Sequence, residues 1–313
     1  MSSKQIVSLF AGAGGIDLGL IRAGHQVIWA NDFDLDSCET YAHNLGSHIH
    51  CSDIKDVRSD SIPNSDLIVG GFPCQGFSVA NKFRSVQDKR NELYEEMLRI
   101  IKDKQPKWFI AENVSGILSL GGGEVFQMIL DDFKAAGYRV THRLENMADF
   151  GVAQKRKRVI ILGTRSDLPL EMTLRHPNPT HNKNPTLFMT KWVTMGEALR
   201  EFQKFDVPQD VASKYKFIER NFTGHRRSDP DQPSPTILAR GNGKGGVNAT
   251  PHPFEERRLS VMESAHIQSF PCTYIFKGSM TSQYRQIGNA IPPMYGELIG
   301  NEILKLGSVA ISA

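Results

Sequence analysis

Three observations predict an α/β protein: a doubly wound, mostly parallel, Rossmann-like sheet with a second, smaller, loop-rich domain. The first half of the chain alternates short apolar β-rich runs with segments of helical spacing, and a βαβα order argues for a parallel sheet covered by helices on both faces. A glycine-rich turn follows the first strand and leads into the first helix. Phe10, Asp32, Cys74 and Glu112 all fall at carboxyl ends of predicted strands, the edge where such sheets bind ligands.

Taken in order, Gln5 to Phe10 reads as a strand, followed by Ala11-Gly12-Ala13-Gly14-Gly15 and a helix over Ile16 to Ala23. Val27 to Ala30 is a second strand ending at Asn31-Asp32, and a helix spans Leu35 to Asn44. Leu67 to Val69 is a short buried strand ahead of Cys74. Glu92 to Lys102 carries Leu93, Met97, Ile100 and Ile101 at helical spacing. Trp108 to Ala111 is a strand ending at Glu112-Asn113, Val125 to Ala136 a helix, and Val159 to Gly163 a strand. From Thr164 to Pro235 the periodicity fades into prolines and Asn/His/Thr clusters. There Leu187-Phe188, Trp192-Val193 and Phe217-Ile218 are expected to supply a modest core. Gly241 to Gly246 reads as a flexible loop, and it is no P-loop because Lys244 lacks a following Ser or Thr. A last helix over Met294 to Leu306 is expected to pack on the main body through Leu298, Ile299, Ile303 and Leu304.

Size and composition narrow the function classes. The 313 residues suffice for a full core and more than one domain, and 40% hydrophobic with 23% charged residues is ordinary for a globular protein. No apolar run approaches a membrane span. The first strand begins at once, leaving no room for a signal peptide. Cys38, Cys51, Cys74 and Cys272 lack paired spacing, which suits reduced thiols in the cytoplasm. No His/Cys cluster has metal-ligand spacing. The net charge of +3 is mild, but Lys155-Arg156-Lys157-Arg158, Arg226-Arg227 and Arg257-Arg258 make a nucleic-acid partner worth testing.

Two features carry chemistry. Asp32 lies about 20 residues after the glycine turn, where a ribose hydroxyl would meet a carboxylate. Gly12-x-Gly14-Gly15 departs from G-x-G-x-x-G, which favours a nucleoside cofactor other than NAD. The second feature is Gly70-Gly71-Phe72-Pro73-Cys74-Gln75-Gly76-Phe77-Ser78. It sets a cysteine in a proline-stiffened, glycine-flanked turn just past a strand, a place for a nucleophile. A zinc deaminase would need a second cysteine at position 77, where Phe77 stands.

With these residues in place, the chain resembles the bacterial-type cytosine-C5 DNA methyltransferases over nearly its whole length except about residues 165–230. Leu9-Phe10-Ala11-Gly12-Ala13-Gly14-Gly15 looks like the S-adenosylmethionine turn, and Asp32-Phe33 and Asp53-Ile54 like the next cofactor contacts. Gly70 to Ser78 looks like the catalytic loop, and Asp88 to Leu93 like the helix start that follows it. Glu112-Asn113-Val114 and Gln154-Lys155-Arg156-Lys157-Arg158 look like the acid and basic motifs. Arg258 to Pro271 and Gln286 to Pro293 look like the last two. The motifs stand in the family's order. Asn91 stands where glycine is expected, and Ala153 where proline commonly precedes the Gln.

The resemblance implies an enzyme that methylates C5 of a flipped cytosine in a short duplex DNA sequence, using S-adenosylmethionine and no metal and leaving S-adenosylhomocysteine. It implies Cys74 as nucleophile, Glu112 as the acid at N3, Arg158 at the base O2, and Arg156 on phosphate or the loop. Cofactor contacts fall on Phe10, Ala11, Gly12, Gly14, Gly15, Asp32, Phe33, Asp53, Ile54, Pro73, Leu93, Asn289 and Ala290. DNA contacts fall on Gln75, Ser78, Lys82, Arg84 and Gln154, with the polar segment Gly76 to Asn91 as a lid over the base. The expected domains are 1–165 plus 281–313 for catalysis and cofactor, and 166–280 for target recognition. A monomer is the family expectation. The nearest enzymatic rival is an RNA-cytosine methyltransferase, but Gly-Phe-Pro-Cys-Gln-Gly-Phe-Ser looks more like the DNA enzymes. A non-catalytic DNA-binding relative should have lost Cys74 or Glu112, and both are present.

Overall fold

In the computed structural model, residues 3–72, 92–205, 227–239, 250–255 and 257–306 are described. Their centre is a seven-stranded sheet of β1 (Gln5–Leu9), β2 (Gln26–Asp32), β3 (Ile49–Cys51), β4 (Leu67–Gly70), β5 (Trp108–Val114), β6 (Tyr138–Asn146) and β7 (Lys157–Arg165). The spatial order is β3-β2-β1-β4-β5-β7-β6. The first five strands pair in parallel, and β7 runs against both β5 and β6. The order reverses between β1 and β4, so the crevice of a doubly wound sheet opens beyond Leu9 and Gly70.

The period-2 alternation of the strands sorts their side chains between two cores. Val7, Leu9, Ile68, Phe109 and Ile161 face helices α3 (Glu92–Lys104) and α4 (Glu124–Ala135). Ile6, Leu67, Val69, Trp108, Ile110 and Ile160 face the other side. There they meet α1 (Gly15–Arg22), Tyr41 of α2 (Leu35–Leu45) and the C-terminal helix. Both faces are thus dry, as a parallel sheet requires.

The second half adds a two-residue ribbon, β8 (His181–Asn182) with β9 (Thr190–Lys191), and α5 (Met195–Phe202). Then come α6 (Val261–Ile267), α7 (Met280–Asn289) and α8 (Pro293–Lys305). A third core joins Met195 and Leu199 of α5, Ile237, Val261, Met262, Ala265, Phe270, Tyr274, Phe276 and Ile287 to Ala13 and Ala153. Capping boxes start α5 and α6: Thr194 with Glu197, and Ser260 with Glu263. Helix α8 lies on α1, and a Cβ on Gly19 would meet the Pro293 carbonyl oxygen at 2.2 Å.

The structure corrects the sequence reading in four places. β3 and β6 are strands that were not expected, and β7 is antiparallel. Glu112 lies inside β5, not at its end, because β7 pairs with it out to Val114↔Arg158. Leu187 and Phe188 form no core: they are 98% and 92% exposed at the tip between β8 and β9. Trp192 does anchor that ribbon, donating from Nε1 to Asp149 at 2.8 Å. Phe217-Ile218 and Gly241 to Gly246 lie outside the described residues.

Candidate active site

The turn after β1 is built almost entirely from backbone. Ala11 N–H donates to the Asn31 carbonyl and Gly14 N–H to the Ala11 carbonyl, both at 2.9 Å. Phe10, Gly12 and Gly14 have φ of 54°, 55° and 77°. At Gly14 the left-handed conformation places the N-cap of α1, so glycine is required there. Gly12 N–H donates to Asp32 Oδ2 at 2.8 Å and Asp34 N–H to Oδ1 at 2.9 Å. Asp32 therefore fastens the turn to the end of β2. Burial pushes its carboxyl above the ordinary range, against the pull of those two bonds. Phe33 and Leu35, 65% and 62% exposed, stand beside it as an apolar wall.

The far side of the turn is closed by the C-terminal half of the chain. Tyr274 donates from its hydroxyl to the Ala13 carbonyl at 2.5 Å. A Cβ on Gly15 would lie 2.3 Å from the Ile291 carbonyl oxygen and 3.0 Å from the Ala290 Cβ. Gln268 holds the Ala290 carbonyl at 2.7 Å. The structure thus brings Phe10 to Gly15, Asp32, Phe33 and Ala290 to one crevice. Asn289 is exposed next to Ala290, and Asp53 is exposed and caps a single 3-10 turn, accepting from Lys55 N–H. Ile54 and Leu93 belong to the core under the site: Ile54 is buried and Leu93 packs against the same cluster.

The second half of the site sits across the switch point. Glu112, 8% exposed, forms an ion pair with Arg158, Oε1 to Nε at 2.7 Å. The register explains the pair: Glu112 faces Ile160, so Arg158 is its diagonal neighbour on the same face of the sheet. Glu112 Oε2 points over Gly71, where a Cβ would come within 2.9 Å of it. Asn113 Nδ2 donates to the Phe72 carbonyl at 3.2 Å, which ties the chain leaving β4 to β5. Glu112 and Arg158 therefore meet at the root of the segment carrying Cys74. Pro73, Cys74, Gln75, Ser78, Lys82 and Arg84 themselves lie outside the described residues.

Two residues of the basic segment do not reach a ligand. Arg156 is fully buried and donates from Nη1 to the Ile237 carbonyl at 3.3 Å and from Nη2 to the Gly288 carbonyl at 2.8 Å. Of the two expectations for it, phosphate or the loop, these bonds are to the loop. Gln154 is equally buried. Its Nε2 donates to Gln268 Oε1, and its Oε1 accepts from Ile237 N–H at 3.1 Å. Gln154, expected to contact DNA, here pairs with Ser234 and Ile237. Lys155 and Lys157, between them, are exposed.

Sequence reasoning placed Asn113 and Gln268 within motifs but gave them no role of their own, and it missed Tyr274 and the buried trio Ser8, Asp17 and Tyr41. Asp17 had a signal: it is an acid on the helix segment Gly15-Ile16-Asp17-Leu18-Gly19-Leu20, otherwise free of polar side chains. Among the described residues no group of three His, Cys, Asp or Glu side chains could hold a metal, and no helix is long and apolar enough to cross a membrane.

A family model for C-5 cytosine-specific DNA methylase matches residues 4–305. The chain is 37% identical to the Type II methyltransferase M.NgoFVII of Neisseria gonorrhoeae, across 98% of this chain and 88% of that protein. It is 35% identical to the Type II methyltransferase M.BspRI of Lysinibacillus sphaericus, across 97% of this chain and 82% of that one. The crystal structure of the S. pombe Dnmt2 methyltransferase superposes with a TM-score of 0.69 over 98% of this chain and all of that one. At 15% identity that likeness speaks for the fold alone.

Proposed function

The chain belongs to the C-5 cytosine-specific DNA methylases, and from that membership we propose that it methylates C5 of a flipped-out cytosine within a short duplex DNA sequence. The observation that carries the reading is the buried Glu112–Arg158 pair set against Gly71, three residues before Cys74, at the switch point of the sheet. The kinship with Type II methyltransferases favours a role in protecting DNA from a cognate restriction endonuclease. We assign residues 1–165 with 281–313 to catalysis and 166–280 to target recognition, in a cytoplasmic monomer acting on DNA.

The crevice at β1 and β2 fits S-adenosylmethionine. A Cβ on Gly12 would meet nothing within 4 Å, so the turn presents bare backbone to open space. Asp32 lies at the floor for a ribose, and Phe33 and Leu35 stand where an aromatic base would pack. When bound, S-adenosylmethionine supplies an electrophilic methyl group.

Cytosine C5 is a poor nucleophile, and the protein's part is to change that. The Cys74 thiolate adds to C6, forming an S–C bond and moving the ring electrons toward C5 and N3. Glu112 carries a proton to N3 through Oε2, while Arg158 holds Oε1 and orients the carboxyl. The outer guanidinium edge of Arg158 donates to the base O2. After methylation the C5 proton is lost to a base, the C5=C6 bond re-forms, Cys74 leaves as thiolate, and N3 returns its proton to Glu112. The target atom is out of reach in a stacked duplex, so the base has to swing out of the helix.

Replacing Cys74 with Ala should abolish transfer of tritium from labelled cofactor to DNA, and retained turnover would sink the covalent route. DNA carrying 5-fluorocytosine should form a covalent adduct with the native protein and none with Cys74→Ala. Glu112→Gln, which keeps the shape of the side chain, should lower kcat by about 10²- to 10⁴-fold. Bisulfite sequencing of DNA from expressing cells reports the methylated site.

A further inference from the structure

We propose that Asp17 is a positioning residue for the cofactor: acting through Tyr41, its buried carboxylate sets the shape of the Gly12 to Gly15 turn. The proposal rests on reading that turn as the S-adenosylmethionine site.

Asp17 is fully buried in the first turn of α1, beneath the cofactor turn. Its Oδ1 accepts from Ser8 Oγ and its Oδ2 from the Tyr41 hydroxyl, both at 2.8 Å. One carboxylate therefore joins the end of β1, the start of α1 and the middle of α2. Leu45 and the Tyr41 ring lie against Gly14: a Cβ there would come within 2.4 Å of Leu45 Cδ1 and within 3.0 and 3.1 Å of ring carbons Cδ2 and Cε2 of Tyr41. Gly14 caps α1 in the left-handed conformation, and on the proposed reading the backbone of this turn would meet the ligand. A tilt of the ring would therefore press on the backbone of the turn.

The direction of the hydrogen-bond chain is set by the charge. The Tyr41 oxygen also lies 3.1 Å from His48 Nε2. A phenol has one proton, and Tyr41 gives it to Asp17, so His48 must donate through Nε2–H. The order is His48 to Tyr41 to Asp17, with Ser8 entering from the other side. An amide in place of the carboxylate would set an NH₂ against one of the two hydroxyls, which would then have to accept where it now donates. An anion held by two neutral hydroxyls is a poor device for stability alone, since burying a charge is costly even when it is paired. Its place under the turn gives it a purpose.

The test uses the full chain, with S-adenosylhomocysteine as the calorimetric probe and steady-state methylation beside it. In Asp17→Asn and Tyr41→Phe, the Kd for S-adenosylhomocysteine and the KM for S-adenosylmethionine should each rise by about tenfold, with kcat at saturating cofactor held within about twofold. The double variant should bind no more weakly than the weaker single one, because both act along one path. Tyr41→Phe keeps the ring and carries the test if Asp17→Asn does not fold. An unchanged Kd in Tyr41→Phe overturns the proposal, and so does a loss that falls on kcat with KM unmoved. If the unaltered protein fails to bind S-adenosylhomocysteine, the reading of the turn itself is wrong, and the proposal goes with it.

Discussion

The glycine turn after β1 and the basic segment present opposite relations between sequence and place. Residues 10–15 and Asp32 are joined by one strand, one turn and one helix, and they lie where their spacing puts them. Residues 154–158 read as a glutamine leading a uniform charged run, yet the structure splits them by alternation. Gln154 and Arg156 are buried, Lys155 and Lys157 are exposed, and Arg158 turns inward to Glu112. A run of like charge thus need not be a solvated face; its fate depends on partners far away in sequence. Arg156 is buried because the carbonyls of Ile237 and Gly288 await it.

That contrast can be broken most sharply at Arg156. Arg156→Ala should destabilise the fold by about 3 kcal/mol, since it strands two carbonyls and opens a cavity. Urea denaturation measures this, and a loss near zero would return Arg156 to the surface class. A comparable effect of the opposite kind is expected at Asp17. Burial raises its carboxyl from 3.8 to about 6 despite the bonds from Ser8 and Tyr41. Its stabilising contribution is therefore full below pH 3.8 and lost as the pH rises through 6, a difference of about 3 kcal/mol by pH 7. The gap in unfolding free energy between the native protein and Asp17→Asn should shift in favour of the variant by about 2 kcal/mol from pH 4 to pH 7. A gap that does not move with pH would mean that Asp17 titrates normally. The smallest effect belongs to Lys155, which sits 5.6 Å over the Trp192 ring and donates to Gln232 at 3.0 Å. Lys155→Ala should leave the melting temperature unchanged and lower the salt slope of DNA binding by about one.

Most of the sheet was legible because buried strands and amphipathic helices announce themselves locally. Every strand named from the sequence is present, and the helix after each of the first two begins within a residue of expectation. β6 escaped because its exposed stretch at His142, Arg143 and Leu144 hides the alternation, and β3 because it is three residues long. The antiparallel course of β7 is a matter of pairing, which no local pattern reveals. In the site, Glu112 and Arg158 were named separately, but their contact needed the register. Asp17 was passed over because its partners Ser8 and Tyr41 are joined to it only by folding.

The packing of α8 on α1 bears on the order in which this molecule can be completed. Gly19 and the Pro293 carbonyl are separated by nearly the whole chain, and neither can find its neighbour until α8 exists. Contacts of such sequence separation are slow to form and leave apolar surface open meanwhile. The cofactor turn heads α1, and its outer wall is Ala290 with Ile291, just before α8. A growing polypeptide would therefore carry the turn after β1 early and close the crevice beside it only once α8 has been made.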